Sequence, residues 1–148
     1  MAQPSVMQEP GCLLKRAQSK LRARMDDALR PIGLTTSQYA VLAILEEDVA
    51  LSNAELARRS FITPQTMNKI LETLESRGLV GRRPHASHGR ILETRLTSIG
   101  ASIVRRCHKA VHAIEDQMLS RLEVAERERF ADYLARCIDG LDRPDAER

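Results

Sequence analysis

The residues best suited to chemistry in this sequence are polar side chains on one predicted helix, which follows Thr63 and Pro64. Outside its apolar stripe the helix carries hydrogen-bonding groups and one lysine, at Gln65, Thr66, Asn68, Lys69 and Thr73. Its first acid is Glu72. Gln and Asn can each form two hydrogen bonds with adenine, Thr can donate to a base or a phosphate, and Lys can neutralise a phosphate. An ordinary solvent-exposed helix more often carries Glu–Lys pairs. The pattern therefore favours contact with a nucleic acid over a merely solvated surface.

Two capping patterns make this helix the second helix of a helix-turn-helix. Ser52 and Glu55 have the capping-box spacing, which predicts a short helix ending near Arg59. Thr63 is suited to the N-cap of the next helix and Pro64 to its first position, where the missing N–H removes no hydrogen bond. In such a motif the second helix enters the major groove with its N-terminal residues at the base edges. We expect Ser52 and Thr63 to contact DNA together with the polar face.

An apolar stripe would hold the second helix against a core. Its members recur with the spacing of one helical face, at Met67, Ile70, Leu71 and Leu74. Gly78 is suited to end the helix.

A β-hairpin is predicted after Gly78. Leu92, Thr94 and Leu96 fall on one side of an alternating strand, residues 79–83 can form its antiparallel partner, and residues 85–90 can form the connecting loop.

The predicted hairpin is basic. It contains Arg82, Arg83, Arg90 and Arg95, with His85 and His88 near its tip. A basic hairpin beside a recognition helix can follow the phosphate backbone and place an arginine in the adjacent minor groove. We therefore predict DNA contacts from Arg82, Arg83, His88 and Arg90.

Helical patterns flank this motif on both sides. A capping box at Thr35 and Gln38 opens a helix before it, and Thr97 can cap a long helix after it. The last helix should begin near Ala125, with an inward stripe of Phe130, Leu134, Cys137, Ile138 and Leu141. This stripe would be exposed if the helix stood alone, which favours a dimer.

The predicted fold is mainly α with a small β-hairpin wing: a winged helix-turn-helix with dimerisation helices at both ends. The predicted segments are a flexible arm (residues 1–11), an N-terminal helix contributing to dimerisation (12–34), the winged helix-turn-helix DNA-binding domain (35–97) and C-terminal dimerisation helices (98–148).

Composition and charge narrow the function classes. The formal net charge is +3, but basic residues predominate over residues 51–97 and acids over residues 113–148, so a polyanionic partner is expected for the centre of the chain. Two Phe, two Tyr and no Trp provide no platform for stacking single-stranded bases. The sequence contains no phosphate-binding glycine loop, nucleophile elbow or paired-carboxylate motif, so neither an enzyme nor a cofactor is predicted.

The number and spacing of the cysteines indicate the cellular compartment of the protein. Cys12, Cys107 and Cys137 are few, odd in number and scattered, which is typical of reduced thiols in a cytoplasm. No signal-peptide pattern opens the chain, and no apolar stretch approaches the ~20 residues that span a bilayer. We therefore expect a cytoplasmic protein that does not associate with membranes.

The last third of the chain contains two histidines at a metal-binding spacing and two cysteines on apolar faces. His108 and His112 have a spacing that can bind a metal, but no third ligand lies nearby in sequence, so no metal is predicted. Such pairs are usually surface residues. Cys107 and Cys137 fall on apolar faces and are predicted to pack in the core.

Three segments, in order and at matching spacing, resemble the multiple-antibiotic-resistance regulator (MarR) family of winged-helix proteins. The segments read GLTTSQYAVLAIL, LSNAELARRSFITPQTMNKILETLESRGLVGRRP and GRILETRLTSIG. With the flanking helices, the resemblance covers nearly the whole chain. It implies a homodimer with intertwined terminal helices, in which each recognition helix reads half of a pseudo-palindrome in double-stranded DNA.

The resemblance also assigns roles to individual residues. Gln65, Thr66, Asn68 and Lys69 match the groove-reading positions, and Arg90 matches the wing-tip arginine. Two departures stand out: His88 occupies a position where the family usually has Asp, and Thr73 one where a basic residue is common.

An effector is a further implication of the resemblance. It would bind where the dimer helices meet the winged domain, and phenolic acids and organic peroxides are the first candidates. Cys12 could be a redox sensor, as in peroxide-sensing members, or an inert thiol; Tyr39 lies at a plausible position to assist an oxidised sulfur. The expected function is a ligand- or oxidant-responsive repressor; the alternative is a winged-helix protein-interaction module without DNA binding.

Overall fold

The computed structural model describes residues 5–142. Its helices and strands are α1 (Pro10–Leu29), α2 (Thr36–Glu47), β1 (Leu51–Ser52), α3 (Asn53–Arg59), α4 (Pro64–Ser76), β2 (Val80–Pro84), β3 (Leu92–Leu96), α5 (Ser98–Met118) and α6 (Val124–Asp142). The mainly helical winged architecture predicted from the sequence is confirmed. None of the helices over residues 5–142 is long and apolar enough to cross a bilayer.

The chain forms two compact units that divide between Ile114 and Glu115. The first unit contains α1 to α4, the three strands and most of α5. The second contains the end of α5 and all of α6.

The sheet of the first unit has three antiparallel strands in the order β1-β3-β2. Thr94 of β3 lies opposite Arg82 on one side and Leu51 on the other. The sequence predicted the β2–β3 hairpin but not β1, because two residues are too few to show a strand alternation. The strand that the sequence did not predict, β1, pairs with β3 and leads directly into α3.

Aliphatic side chains fill the core of the first unit. The fully buried large side chains include Leu29, Leu42, Leu56, Met67, Leu71, Leu74, Val41 and Val104. The stripe predicted on α4 thus packs inward, with Ile70 partly buried against the same cluster.

The predicted helix starts are confirmed by side-chain hydrogen bonds. Thr35 and Gln38 form a capping box at α2, Ser52 and Glu55 form another at α3, and Thr63 caps α4. Gly78 follows α4 with φ +69°, the left-handed conformation that glycine adopts without a steric penalty.

A close approach fixes the start of α5 against the wing. A Cβ atom at Gly100 would lie 2.0 Å from the carbonyl oxygen of Leu79, so only glycine fits. The Thr97 hydroxyl donates to the carbonyl of Gly78 at 2.6 Å and accepts from the N–H of Gly100 at 3.0 Å. The strand after the recognition helix is therefore anchored to α5.

The predicted loose arm is wrong where the structure describes it. A 3-10 turn spans Val6–Gln8 with Ser5 as its N-cap, and α1 begins at Pro10, a residue well suited to a first helical position. Residues 1–4 of the predicted arm lie outside the described residues.

Leu92 is exposed, since it lies at the outer end of β3. One prediction of burial is wrong. The α6 stripe is not inward within a single chain, because Phe130, Ile138, Leu141 and Cys137 are all exposed.

Candidate nucleic-acid interface

The recognition helix α4 has one buried and one exposed face. Met67, Leu71 and Leu74 are fully buried, whereas the predicted DNA contacts on the helix are all exposed: Gln65, Thr66, Asn68 and Lys69. The first turn of α4 contains no acid. The positive end of the helix dipole is therefore not offset by an acid within that turn.

Two of the residues predicted to contact DNA, Thr63 and Ser52, cap the starts of α4 and α3. The Thr63 hydroxyl accepts from the N–H of Thr66 at 3.2 Å and lies 3.0 Å from the Thr66 hydroxyl, to which it donates. The Ser52 hydroxyl donates to Glu55 Oε2 at 3.0 Å and accepts from the N–H of Glu55 at 3.3 Å. The N–H and hydroxyl of Ser52 lower the pKa of the Glu55 carboxyl. In the free protein these hydroxyls hold the two helix starts in place.

A side-chain hydrogen bond joins the two helices of the motif on their exposed side. Asn53 Nδ2 donates to Asn68 Oδ1 at 3.0 Å. Asn53 opens α3, and sequence reasoning assigned it no role because it lies 15 residues from its partner. The contact orients the amide of Asn68 before any ligand arrives.

His85 organises the wing tip. Its Nδ1 accepts from the backbone N–H groups of Ser87 and His88 at 3.0 and 3.2 Å, and its Nε2 lies 3.3 Å from Glu93 Oε1. These partners correspond to the tautomer with the proton on Nε2. The ring of His88 lies 5.4 Å from that of His85. The sequence showed His85 near the tip but not that it holds the loop together.

The hairpin arginines fall into two kinds. Arg82 Nε and Nη2 donate to Glu75 Oε2 at 2.9 and 2.8 Å, with the arginine side chain only 20% exposed. Arg82 therefore ties β2 to the end of α4, and its charge is neutralised in the free protein. Arg83 and Arg90 are exposed, and neither forms an ion pair with another of the described residues.

The sequence profile of the MarR family matches residues 32–91, which span α2 to the wing. The HTH-type transcriptional repressor Rv2887 of Mycobacterium tuberculosis is 38% identical over 120 residues, covering 81% of this chain and 86% of that protein. This chain belongs to the MarR family. It is a transcriptional regulator with the family's winged-helix fold, as the resemblance of its three segments implied.

Solved structures of Rv2887 match this MarR-family protein over most of its length. The structure of Rv2887 in complex with DNA has a TM-score of 0.74 at 33% identity, covering 87% of this chain and 97% of that one. The structure of Rv2887 in complex with salicylic acid has a TM-score of 0.73 at 36% identity, covering 87% and 96% of the two chains.

A polar cluster joins α2 and α5 in the first unit of this MarR-family protein. The hydroxyl of Tyr39 lies 3.0 Å from His108 Nδ1, and His108 Nε2 lies 2.6 Å from Glu46 Oε2. The ring of His112 stacks on that of His108 at 5.7 Å. His108 is thus partly buried and engaged on both nitrogens, not the ordinary surface residue expected. Within residues 5–142, no three metal-ligating side chains converge on a site.

The three cysteines of this MarR-family protein differ in environment. Cys12 lies half-buried in the first turn of α1, with its Sγ 3.9 Å from the sulfur of Met7. Cys107 is buried as predicted, and burial raises the pKa of its thiol. Cys137 was predicted to pack in the core but is exposed, because no element of residues 5–142 covers its face of α6.

Proposed function

We propose that this MarR-family protein is a homodimeric repressor that binds a pseudo-palindromic operator and is released from it by a small ligand. The observation that carries the proposal is the exposed polar face of α4, whose first turn has no acid, beside the exposed wing arginines. Gln65 and Asn68 would read base edges, while Lys69, Arg83 and Arg90 would neutralise phosphates. Rv2887 is a transcriptional repressor and has been solved in complex with DNA, which supports the same role for this chain.

The exposed apolar face of α6 supports the homodimer. Ile138 is 59% exposed and Leu141 is 85% exposed, with Phe130 on the same helix also uncovered. A second copy of the chain would remove this surface from water, which stabilises association. Two copies would present two recognition helices to half-sites about one helical turn apart.

An aromatic carboxylic acid is the proposed effector class. Rv2887 has been solved in complex with salicylic acid and with p-aminosalicylic acid. To release the operator, such a ligand must bind the DNA-incompetent arrangement more tightly, since equal affinity for both states shifts nothing.

An organic peroxide acting through Cys12 is the second candidate signal. The position of Cys12 in the first turn of α1 supports it, because its thiol is only half-buried there and an oxidant can reach it. Substitution of Cys12→Ser separates the two signals: release by peroxide that survives in the Cys12→Ser protein excludes Cys12 as the sensor, while release by salicylate should be unchanged.

The experiment that tests the DNA function starts from a random DNA pool. Sequences bound by the full chain are selected, and the affinity for the best one is measured from low to high salt. We expect a palindromic site, a dimer on each duplex and a steep loss of affinity with salt, because neutralised phosphates release counterions. A flat salt response on the best sequence would instead favour a protein-interaction module. Binding to chromosomal operators would place the protein in the cytoplasm.

A further inference from the structure

Phe61, in the turn between α3 and α4, has two features that its packing does not explain. Its side chain is 97% exposed, more than any other large hydrophobic side chain over residues 5–142. Its backbone φ is +53°, and no other non-glycine residue in the same range has a positive φ. A bulky side chain is disfavoured in this left-handed region, which glycine and asparagine adopt more readily.

The turn itself does not need an aromatic ring. The N–H of Ile62 donates to the carbonyl of Ala57 at 3.0 Å, and the side chain of Ile62 packs against the core. Thr63 then begins the capping of α4. These contacts define the path of the chain, so a glycine at position 61 would satisfy the same turn with less strain.

The position of Phe61 in the chain indicates what its ring contacts. It lies two residues before the N-cap of α4, at the helix end proposed to enter the major groove. We propose that the Phe61 ring packs against the C5-methyl group of an operator thymine, which makes Phe61 a specificity-determining residue. The proposal rests on the DNA-binding function proposed above. The thymine methyl is the apolar group that the major-groove edge presents, and phenylalanine is among the side chains that contact it.

The surroundings of Phe61 favour DNA over a protein partner. The exposed residues next to it in sequence are Arg58, Arg59 and Thr63, which are charged or polar. A stable protein interface buries about 800 Å² on each partner around an apolar centre, and one ring among polar neighbours does not provide that. A single ring is sufficient for one methyl group.

The test compares the wild-type protein with Phe61→Gly on the selected operator and on duplexes in which one thymine at a time is replaced by deoxyuridine. Phe61→Gly should have a melting temperature equal to or above that of the wild type, because it relieves the positive φ, yet bind the operator at least about tenfold more weakly, as expected for losing a buried aromatic side chain. Phe61→Tyr should bind within about twofold of the wild type because it keeps the ring. Val49→Ala, at another exposed apolar loop residue, is the matched control and should change neither property.

Removing the contacted methyl should weaken wild-type binding about three- to fivefold at one position in each half-site, as for one buried carbon. Phe61→Gly should lose this response at the same position. The proposal is overturned if Phe61→Gly binds the operator as well as the wild type, or if the deoxyuridine response is the same in both proteins. Normal operator binding by Phe61→Gly together with lost repression in transcription with purified polymerase would assign Phe61 to a protein contact instead. A wild-type protein that binds no selected DNA would overturn the DNA function itself.

Discussion

Asn53 Nδ2 donates a hydrogen bond to Asn68 Oδ1 at 3.0 Å, linking the first residue of α3 to the exposed face of the recognition helix. With its oxygen already accepting one hydrogen bond, the exposed Asn68 amide retains Nδ2 as a donor. Base acceptors such as adenine N7 or guanine N7 and O6 suit that donor. The orientation of a predicted reading residue is thus decided by a neighbour on the other helix.

Substitution of Asn53→Ala should therefore change sequence preference. Asn68→Ala should weaken binding to the selected operator by about 1–3 kcal/mol, and Asn53→Ala should weaken it less while relaxing preference at the same base pair. Affinities for the operator and for its variants at each position measure both effects. In a double-mutant cycle, Asn53→Ala should add little once Asn68 is Ala; fully additive effects would mean that Asn53 does not act through Asn68.

Alanine substitutions of the neighbouring residues Arg82 and Arg83 should affect different properties, the first stability and the second DNA binding. Arg82→Ala should lower the free energy of unfolding by about 0.5–1 kcal/mol, because it removes the ion pair with Glu75. Arg83→Ala should leave stability within about 0.5 kcal/mol of wild type but weaken DNA binding, because its exposed charge is lost from the wing. Urea denaturation and salt-dependent DNA binding measure the two properties. A larger stability loss for Arg83→Ala than for Arg82→Ala would contradict this assignment.

The wing and the recognition helix should contribute differently to specificity. Arg90→Ala should weaken all DNA sequences similarly and reduce the salt slope by about one, since Arg90 is an exposed charge without an ion pair among the described residues. Gln65→Ala should instead relax preference at one base pair. Binding isotherms over a salt series, on the operator and on unrelated DNA, distinguish the two. The assignment fails if Arg90→Ala weakens only the operator.

Asp26 should link stability to acid pH. Its carboxylate accepts from the hydroxyl and the N–H of Thr36 at 2.6 and 2.8 Å, and these hydrogen bonds lower its pKa from the ordinary 3.8. Because the folded-state pKa is below the unfolded one, the stabilisation is fully present above about pH 4 and is lost as the pH falls through the folded value. Asp26→Asn should lower the free energy of unfolding at pH 7 by about 1 kcal/mol.

The control for this linkage is Thr36→Val, which removes the hydroxyl but keeps the N–H. It should lose part of the stability at pH 7 and part of the acid dependence. Unfolding measured from pH 7 down to about pH 2 checks the sign, and a wild-type protein that gained stability relative to Asp26→Asn as the pH fell would contradict it.

Removal of all residues after Arg121 should abolish dimerisation. The truncation deletes α6 with its exposed apolar residues. Sedimentation should show a monomer or aggregate with weak operator binding, while the full-length control Cys137→Ser should remain a dimer. A truncated chain that sediments as a well-behaved dimer would place the interface elsewhere.

Local patterns determined much of this fold. The capping residues Thr35, Ser52 and Thr63 act on groups three residues away, and Gly78 ends α4 through its own backbone conformation. These interactions are complete within one helical turn, so the sequence alone predicted them, together with the winged helix-turn-helix that they delimit.

Only the tertiary structure decided which of the side chains predicted to contact DNA are not already engaged by other groups of the protein. Arg82 resembles Arg83 in sequence, but folding places Glu75 against it and leaves Arg83 exposed. The pairing of Asn53 with Asn68 and of Tyr39 with His108 joins residues 15 and 69 positions apart. Such partners meet only after helices pack, because no local period or capping rule specifies them. The sequence therefore identified the surface proposed to contact DNA, and the packed structure determined which of its groups are free to do so.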